Sequence, residues 1–218
     1  MISFRPPFTL LLGAYVVAAI ACTANPAGQS GNVVPAKQIN LAIQPYKGMS
    51  DADVEVVRGG VDELYHVEIE VLPQRELPSK AYYPPRQRYL AAILLEDLQT
   101  VGETTSKTVG LTAEDISVMR EGSDNWGIFG YGSVGGKSGV VSGYRLRLDR
   151  PGRALYEARL RKVANHEIGH TLGLDHCGED ECIMHDAHGA ISTIDRMTGK
   201  FCARCKAALA ALSVLKAE

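Results

Sequence analysis

A chain of 218 residues with 45% hydrophobic and 22% charged side chains has the composition of an ordinary globular protein, with a single domain as the default. Its formal net charge is -2, and its lysines and arginines are dispersed along the chain. That balance excludes a general role on nucleic acid, which needs a concentrated basic surface to displace counterions.

The N-terminus reads as a processing signal. Arg5 gives a positive start, residues 8–20 form an almost unbroken apolar run too short to span a bilayer comfortably, and the small residues Ala19 and Ala21 stand just before Cys22. The segment resembles a bacterial lipoprotein signal, in which the cysteine becomes the acylated N-terminus. It departs from that pattern in carrying Ala19 where leucine is usual, so ordinary secretion after Ala21 stands as the alternative. The chain is therefore expected to be exported, with a signal peptide over residues 1–21, lipidation at Cys22 and membrane attachment only through that lipid. Residues 22–36, rich in Ala, Asn, Gly, Gln, Ser and Pro, are expected to be a flexible tether before a folded domain over 37–218.

Within that domain, Ile39, Leu41 and Ile43 alternate with polar or small residues and are closed by Pro45, which predicts a first strand. Val67, Ile69 and Val71, separated by Glu68 and Glu70, predict a second, while residues 54–64 between them fit a helix or irregular chain. Tyr82 to Pro85 reads as a proline-rich turn, and Tyr89, Ile93 or Leu94, and Leu98 share one helical face. Short strands are expected at 108–111 and 126–129. Eight glycines at positions 122, 127, 130, 132, 135, 136, 139 and 143 suggest a mobile segment or unusual turns. Residues 140–148 alternate again, with Tyr144, Leu146 and Leu148 on one face and Arg145 and Arg147 on the other, as an edge strand would. A strong helical pattern runs from Ala154 to Leu172, where Gly173 can end it, and the alanine- and leucine-rich residues 203–216 predict a closing helix.

The chemistry concentrates in His166-Glu167-Ile168-Gly169-His170-Thr171-Leu172-Gly173-Leu174-Asp175-His176. On a helix, His166 and His170 project from one face a turn apart, where two imidazoles can close on one ion, and Glu167 points toward the same cleft as a general base. Gly173 can take the left-handed conformation that bends the chain and returns His176 as a third ligand. Three neutral imidazoles leave a zinc ion one open position, the mark of a catalytic site. Any one of these histidines alone is better read as a satisfied polar residue on a helix; the combination is not.

Cys177 and Cys182, then Cys202 and Cys205, form two closely spaced pairs that suit a tetrahedral structural zinc site, giving two zinc ions per chain. Two disulfides are the alternative in an oxidising compartment. Such a clamp would fix the backbone carrying the adjacent ligand, His176. Met184 by itself is a core filler. His66, His185 and His188 receive no role, and Tyr131 and Tyr144 are equally substrate contacts or packing residues.

The run from His166 to Cys177, then Cys182-Ile183-Met184, seventeen intervening residues and Cys202-Ala203-Arg204-Cys205, resembles the archaemetzincin (archaelysin) family of metzincin-type metallopeptidases. Residues 86–98 and the glycine-rich segment leading to Arg145 are similar more loosely. The resemblance implies an α+β domain: a twisted mixed β-sheet, a helix behind it, an active-site helix, and a small C-terminal subdomain with a four-cysteine zinc site and a closing helix. The division would fall between an upper part, 37–173, and a lower part, 174–218. By the same resemblance Met184 is the methionine of the turn beneath the catalytic metal, and the four cysteines bind the second zinc. Family members are typically intracellular, so the export signal is a departure. The expected activity is zinc-dependent hydrolysis of peptide or protein substrates, with the peptide extended along the edge strand near 140–148. A non-catalytic binding module on the same fold and a zinc hydrolase acting on a cell-wall component are the rival readings; Glu167, which a pure binder does not need, favours the enzyme.

Overall fold

The computed structural model describes residues 39–102, 106–120 and 123–216. The signal peptide, the whole tether with Cys22, and Gly122 lie outside the described residues. Among the described residues, no helix is long and apolar enough to cross a membrane.

The alternating apolar residues at the start of the domain form β1 (Asn40–Pro45) and β2 (Glu68–Val71), as their pattern predicts. The ambiguous segment between them is a helix, α1 (Asp51–Leu64). Its first turn carries Asp51 and Asp53 at the positive end, the Ser50 hydroxyl accepts the Asp53 N–H, and Val54, Val57 and Val61 bury one face.

The next helix starts later than the spacing of Tyr89 and Leu98 predicts. Gln87 sits in the left-handed region (φ 52°), and Arg88–Leu90 is a strand, β4, paired antiparallel with β3 (Tyr82–Tyr83). Tertiary bonds hold it there: the Tyr89 N–H donates to the Asp115 carbonyl at 2.9 Å, and Arg88 Nε donates to the Asp115 carboxylate at 2.8 Å. The helix, α2 (Ala91–Gln99), then buries Leu94, Leu95 and Leu98.

Five further strands follow: β5 (Lys107–Thr112), β6 (Ile116–Arg120), β7 (Ser123–Ile128), β8 (Gly130–Gly132) and β9 (Ser138–Ser142). Among the described residues the nine strands divide into two mixed sheets, of order β2-β1-β5-β9-β8 and β3-β4-β6-β7. In the first, β2, β1, β5 and β9 are mutually parallel and β8 is antiparallel to β9. Adjacent residues of β9 serve opposite layers: Val140 packs with the α2 cluster of Tyr46, Leu94 and Leu98, and Val141 with the larger core of Leu41, Ile43, Val57 and Leu160. All five residues of β9 are buried, Ser138 and Ser142 included, as in a strand covered on both faces.

The edge strand expected over 140–148 is therefore corrected. Residues 138–142 are an interior strand, and Arg145–Arg147 is a short 3-10 helix. The alternating arginines are set by partners distant in sequence: Arg145 forms a two-point ion pair with Asp115, and Arg147 Nη2 lies 3.0 Å from Asp53. The sheet edge on this side is β8.

The remaining helices are α3 (Arg153–Thr171), α4 (Ile191–Arg196) and α5 (Ala203–Leu209). The closing helix is half the predicted length. After a 3-10 turn, Ser213 turns left-handed (φ 51°) so that the buried Val214 and the bridge between Leu215 and Tyr65 return the chain to the end of α1. The apolar residues after position 173, among them Leu174, Ile183, Met184, Phe201 and Leu209, join the same core as α1, β1, β5 and α3.

Candidate metal centre and active-site cleft

The site is built on α3, which the rest of the chain grips along its length. Tyr156, Leu160, Val163, Ala164 and Ile168 bury its inner stripe. Arg159, only 1% exposed, is bonded by both Asp149 and Asp195 at 2.7–2.8 Å and donates to the Leu146 carbonyl. Near the end, Asn165 Nδ2 donates to Gly60 O at 3.0 Å, and the Tyr65 hydroxyl donates to Asn165 O at 2.8 Å. The last two turns are thereby held in place.

The helix closes at Leu172 with a paired capping motif: the Leu174 N–H donates to Gly169 O at 3.0 Å and the Gly173 N–H to His170 O at 2.9 Å, with Gly173 at φ 99°. The bend expected at this glycine brings His176 to the other two rings. Ring centroids are 4.6 Å apart for His166 and His170, 5.3 Å for His166 and His176, and 4.8 Å for His170 and His176.

The far nitrogens of the first two rings decide what the near ones can do. His166 Nδ1 lies 2.7 Å from the Ile183 carbonyl and His170 Nδ1 2.7 Å from the Leu174 carbonyl. A carbonyl oxygen only accepts, so both Nδ1 atoms carry the proton and both Nε2 atoms present lone pairs. Those lone pairs face each other at 3.0 Å, an arrangement that suits a cation shared between them. Burial holds both imidazoles neutral, His166 down at about 3 with His170 adding to the effect. Two nitrogens of a tetrahedral zinc site are about 3.3 Å apart, so the donor set fits the metal.

Glu167, 5% exposed, occupies the groove between α3 and the edge strand. Two glycines of β8 make room for it. A Cβ on Gly130 would collide with its carboxylate, and one on Gly132 would stand 2.7 Å from its backbone oxygen. The glycine-rich segment is thus largely ordered strand, and its missing side chains let the sheet edge approach the helix. Among the described residues nothing donates a hydrogen bond to the Glu167 carboxylate, which opens on a cleft of about 480 Å³ walled by Trp126, Ile128, Tyr131, Val163 and Met197. Burial, with the Asp186 carboxylate adding to it, keeps this carboxyl well above the usual range.

Met184 lies fully buried beneath α3, its sulfur 2.5 Å from where a Cβ on Gly169 would sit. Its carbonyl accepts the Cys177 N–H at 2.8 Å, and the turn closes with the His185 N–H on Cys182 O at 2.9 Å. The four cysteines gather with Sγ atoms 3.6 Å apart for Cys177 and Cys202 and 3.7 Å for Cys182 and Cys205, all four within 4.8 Å. All four are free thiols rather than disulfides. Sulfurs around a tetrahedral zinc are about 3.8 Å apart. Burial raises the Cys182 and Cys205 thiols, while the Cys205 N–H pulls Cys202 down to about 7.

The sequence model of peptidase family M54 matches residues 51–211. The chain belongs to family M54, the archaemetzincins. It is a zinc metallopeptidase. It is 31% identical over 167 residues to the archaemetzincin of Archaeoglobus fulgidus, covering 77% of this chain and 96% of that one. With the archaemetzincin of Methanopyrus kandleri the identity is 37% over 142 residues, 65% of this chain and 77% of the relative. The crystal structure of the Methanopyrus kandleri protein superposes with a TM-score of 0.71 at 32% identity, over 83% of this chain and 98% of that one. The Archaeoglobus fulgidus structure, solved with malonate, gives 0.67 at 30% identity over 78% and 99%.

In this M54 chain the structure brings the three predicted histidines together beside Glu167, gathers the four predicted cysteines in a second cluster, and places Met184 between them. His185 turns its Nδ1 to the Cys177 carbonyl at 3.1 Å. Sequence reasoning misses Asp186, which lines the cleft and faces His176, and the role of Gly130 and Gly132. Asp186 has no motif spacing to reveal it; the glycines are visible in the sequence but read there as mobility.

Proposed function

We propose that this zinc metallopeptidase cuts peptide bonds at the cleft with His166, His170 and His176 as the metal's ligands and Glu167 as general base. The observation that carries the reading is the Glu167 carboxylate, buried beside the three imidazoles yet open to the cleft. Zinc in such a site supplies Lewis acidity, lowering the pKa of water toward neutrality and polarising a carbonyl. Glu167 takes the proton from the attacking water and returns it to the leaving amine, an exchange that its place beside the imidazoles and its opening on the cleft allow. The free edge of β8 offers main-chain hydrogen bonds to an extended peptide, with Tyr131 beside it, in place of the edge first expected at 140–148.

In this reading Cys177, Cys182, Cys202 and Cys205 hold a second, structural zinc, and Met184 forms the floor under the catalytic one. The partners are peptide or protein substrates and not nucleic acid. The protein is exported and tethered through an acylated Cys22, which supplies its only contact with a membrane.

Metal analysis of the purified protein beside a Glu167→Gln variant tests the proposal. Two zinc ions per chain are expected in both, with hydrolysis lost only in the variant. A variant that still cleaves peptides at the parent rate would remove Glu167 from the mechanism, and one zinc per chain would remove the second site.

A further inference from the structure

The three imidazoles are not held alike. His166 and His170 are anchored through Nδ1 to backbone carbonyls, each at 2.7 Å, and sit on or in a buried helix face. His176 comes after the bend, its side chain is 49% exposed, and the group facing its Nδ1 is a side chain: Asp186 Oδ2, at 3.4 Å. The carboxylate is itself held in place. Its Oδ1 accepts the His188 N–H at 2.8 Å, and the His188 ring brings Nδ1 to 3.2 Å from Oδ2. That turn is tight, with His188 and Gly189 both left-handed (φ 48° and 77°) and Gly189 lying against the Trp126 ring.

Resting on the peptidase reading above, we infer that Asp186 is the positioning residue for the third metal ligand, fixing the His176 ring with Nδ1 protonated and Nε2 directed to the metal. An exposed imidazole has water as a competing partner at both nitrogens, so a neutral acceptor would hold it weakly. A charged acceptor bonds about twice as strongly as a neutral one and also makes the ring a better donor to a cation. Asp186 is thus placed to do for the exposed ligand what burial and backbone carbonyls do for the other two.

The test separates this role from mere support of the turn. In Asp186→Asn the amide oxygen can still accept the His188 N–H, so the turn is kept while the charge facing His176 is lost. Zinc affinity at the histidine site is read in the full chain by competition with a chelator, with the cysteine site as internal control. We expect Asp186→Asn and Asp186→Ala each to weaken zinc at the histidines by about 10- to 100-fold. The cysteine-bound zinc should stay unchanged, and Asp186→Glu should recover part of the loss. The inference is overturned if Asp186→Asn binds zinc within twofold of the parent, or if only Asp186→Ala is affected, which would make the residue a prop for the turn. A parent chain that holds no zinc at the histidines would overturn the peptidase reading itself, and this inference with it.

Discussion

The two donor clusters of this protein meet at one peptide bond, between His176 and Cys177, and are built on opposite plans. The histidine cluster has three donors, one of them half-exposed, beside a cleft and a buried carboxylate. The cysteine cluster has four donors, three of them buried, with the Arg204 guanidinium donating to Cys177 Sγ at 3.1 Å. Four sulfurs complete a tetrahedron and leave no corner for water, whereas three imidazoles leave one. The difference in donor number separates a site that can react from one that can only hold.

The contrast is sharpest at Glu167, which lines the cleft beside the histidines. Replacing it with Gln should lower kcat by about 10²- to 10⁴-fold while both metals stay bound, as steady-state kinetics with metal analysis would reveal. Breaking the closed site should instead be felt in stability. Cys205→Ala is expected to cost about 3–4 kcal/mol and one metal per chain, read by denaturant unfolding. If that variant remained as stable as the parent and lost only activity, the assignment of the closed site as structural would fail.

Between these lies the fit of the sheet edge to the helix. Gly130→Ala must push Glu167 aside, because the added methyl collides with its carboxylate. A drop of about 10- to 100-fold in kcat with zinc retained is expected, since misplacing a catalytic group by about 1 Å costs on that order. Unchanged kinetics would mean that the groove has more give than the packing indicates.

The smallest expected effect concerns the clamp on α3. Arg159, through its hydrogen bonds, holds the Asp149 and Asp195 carboxyls below the usual carboxylate range. A carboxyl with a depressed folded pKa contributes stability above its unfolded value, and that contribution is lost as pH falls through the folded one. Thermal midpoints should therefore fall as pH drops below about 4. Asp195→Asn should flatten that acid limb relative to the parent, a modest change because Asp195 is partly exposed and water screens it. An equally steep limb in the variant would place the acid sensitivity elsewhere.

Much of this contrast is legible in the chain because both donor sets lie within residues 166–205, and local spacing on a helix and around a bend determines where such side chains go. The strands at 40–45, 68–71 and 107–112 are legible as short apolar or β-branched runs, but their burial is not: β1 and β5 are buried almost throughout and β2 is largely exposed, whatever the alternation suggests. Tertiary partners are not legible either. Arg145 and Arg147 alternate as an edge strand would, yet Asp115 and Asp53, 30 and 94 residues away, draw them into a 3-10 turn. Tyr89 shares a helical face with Leu98 on paper, but Asp115 claims its N–H for a strand. The expected strand at 126–129 catches only the end of β7, while β6 and the short β8 carry too few alternating apolar residues to announce themselves, and Asp186 becomes informative only once the bend at Gly173 has put His176 beside it.

The burial of Met184 has a chemical consequence of its own. A thioether is readily converted to a sulfoxide by peroxides, which would turn an apolar support under the helix into a polar, bulkier one. With no solvent-exposed surface, and with its sulfur seated where even a methyl group on Gly169 would not fit, this side chain is shielded from oxidants. The packing beneath α3 is in that sense chemically inert.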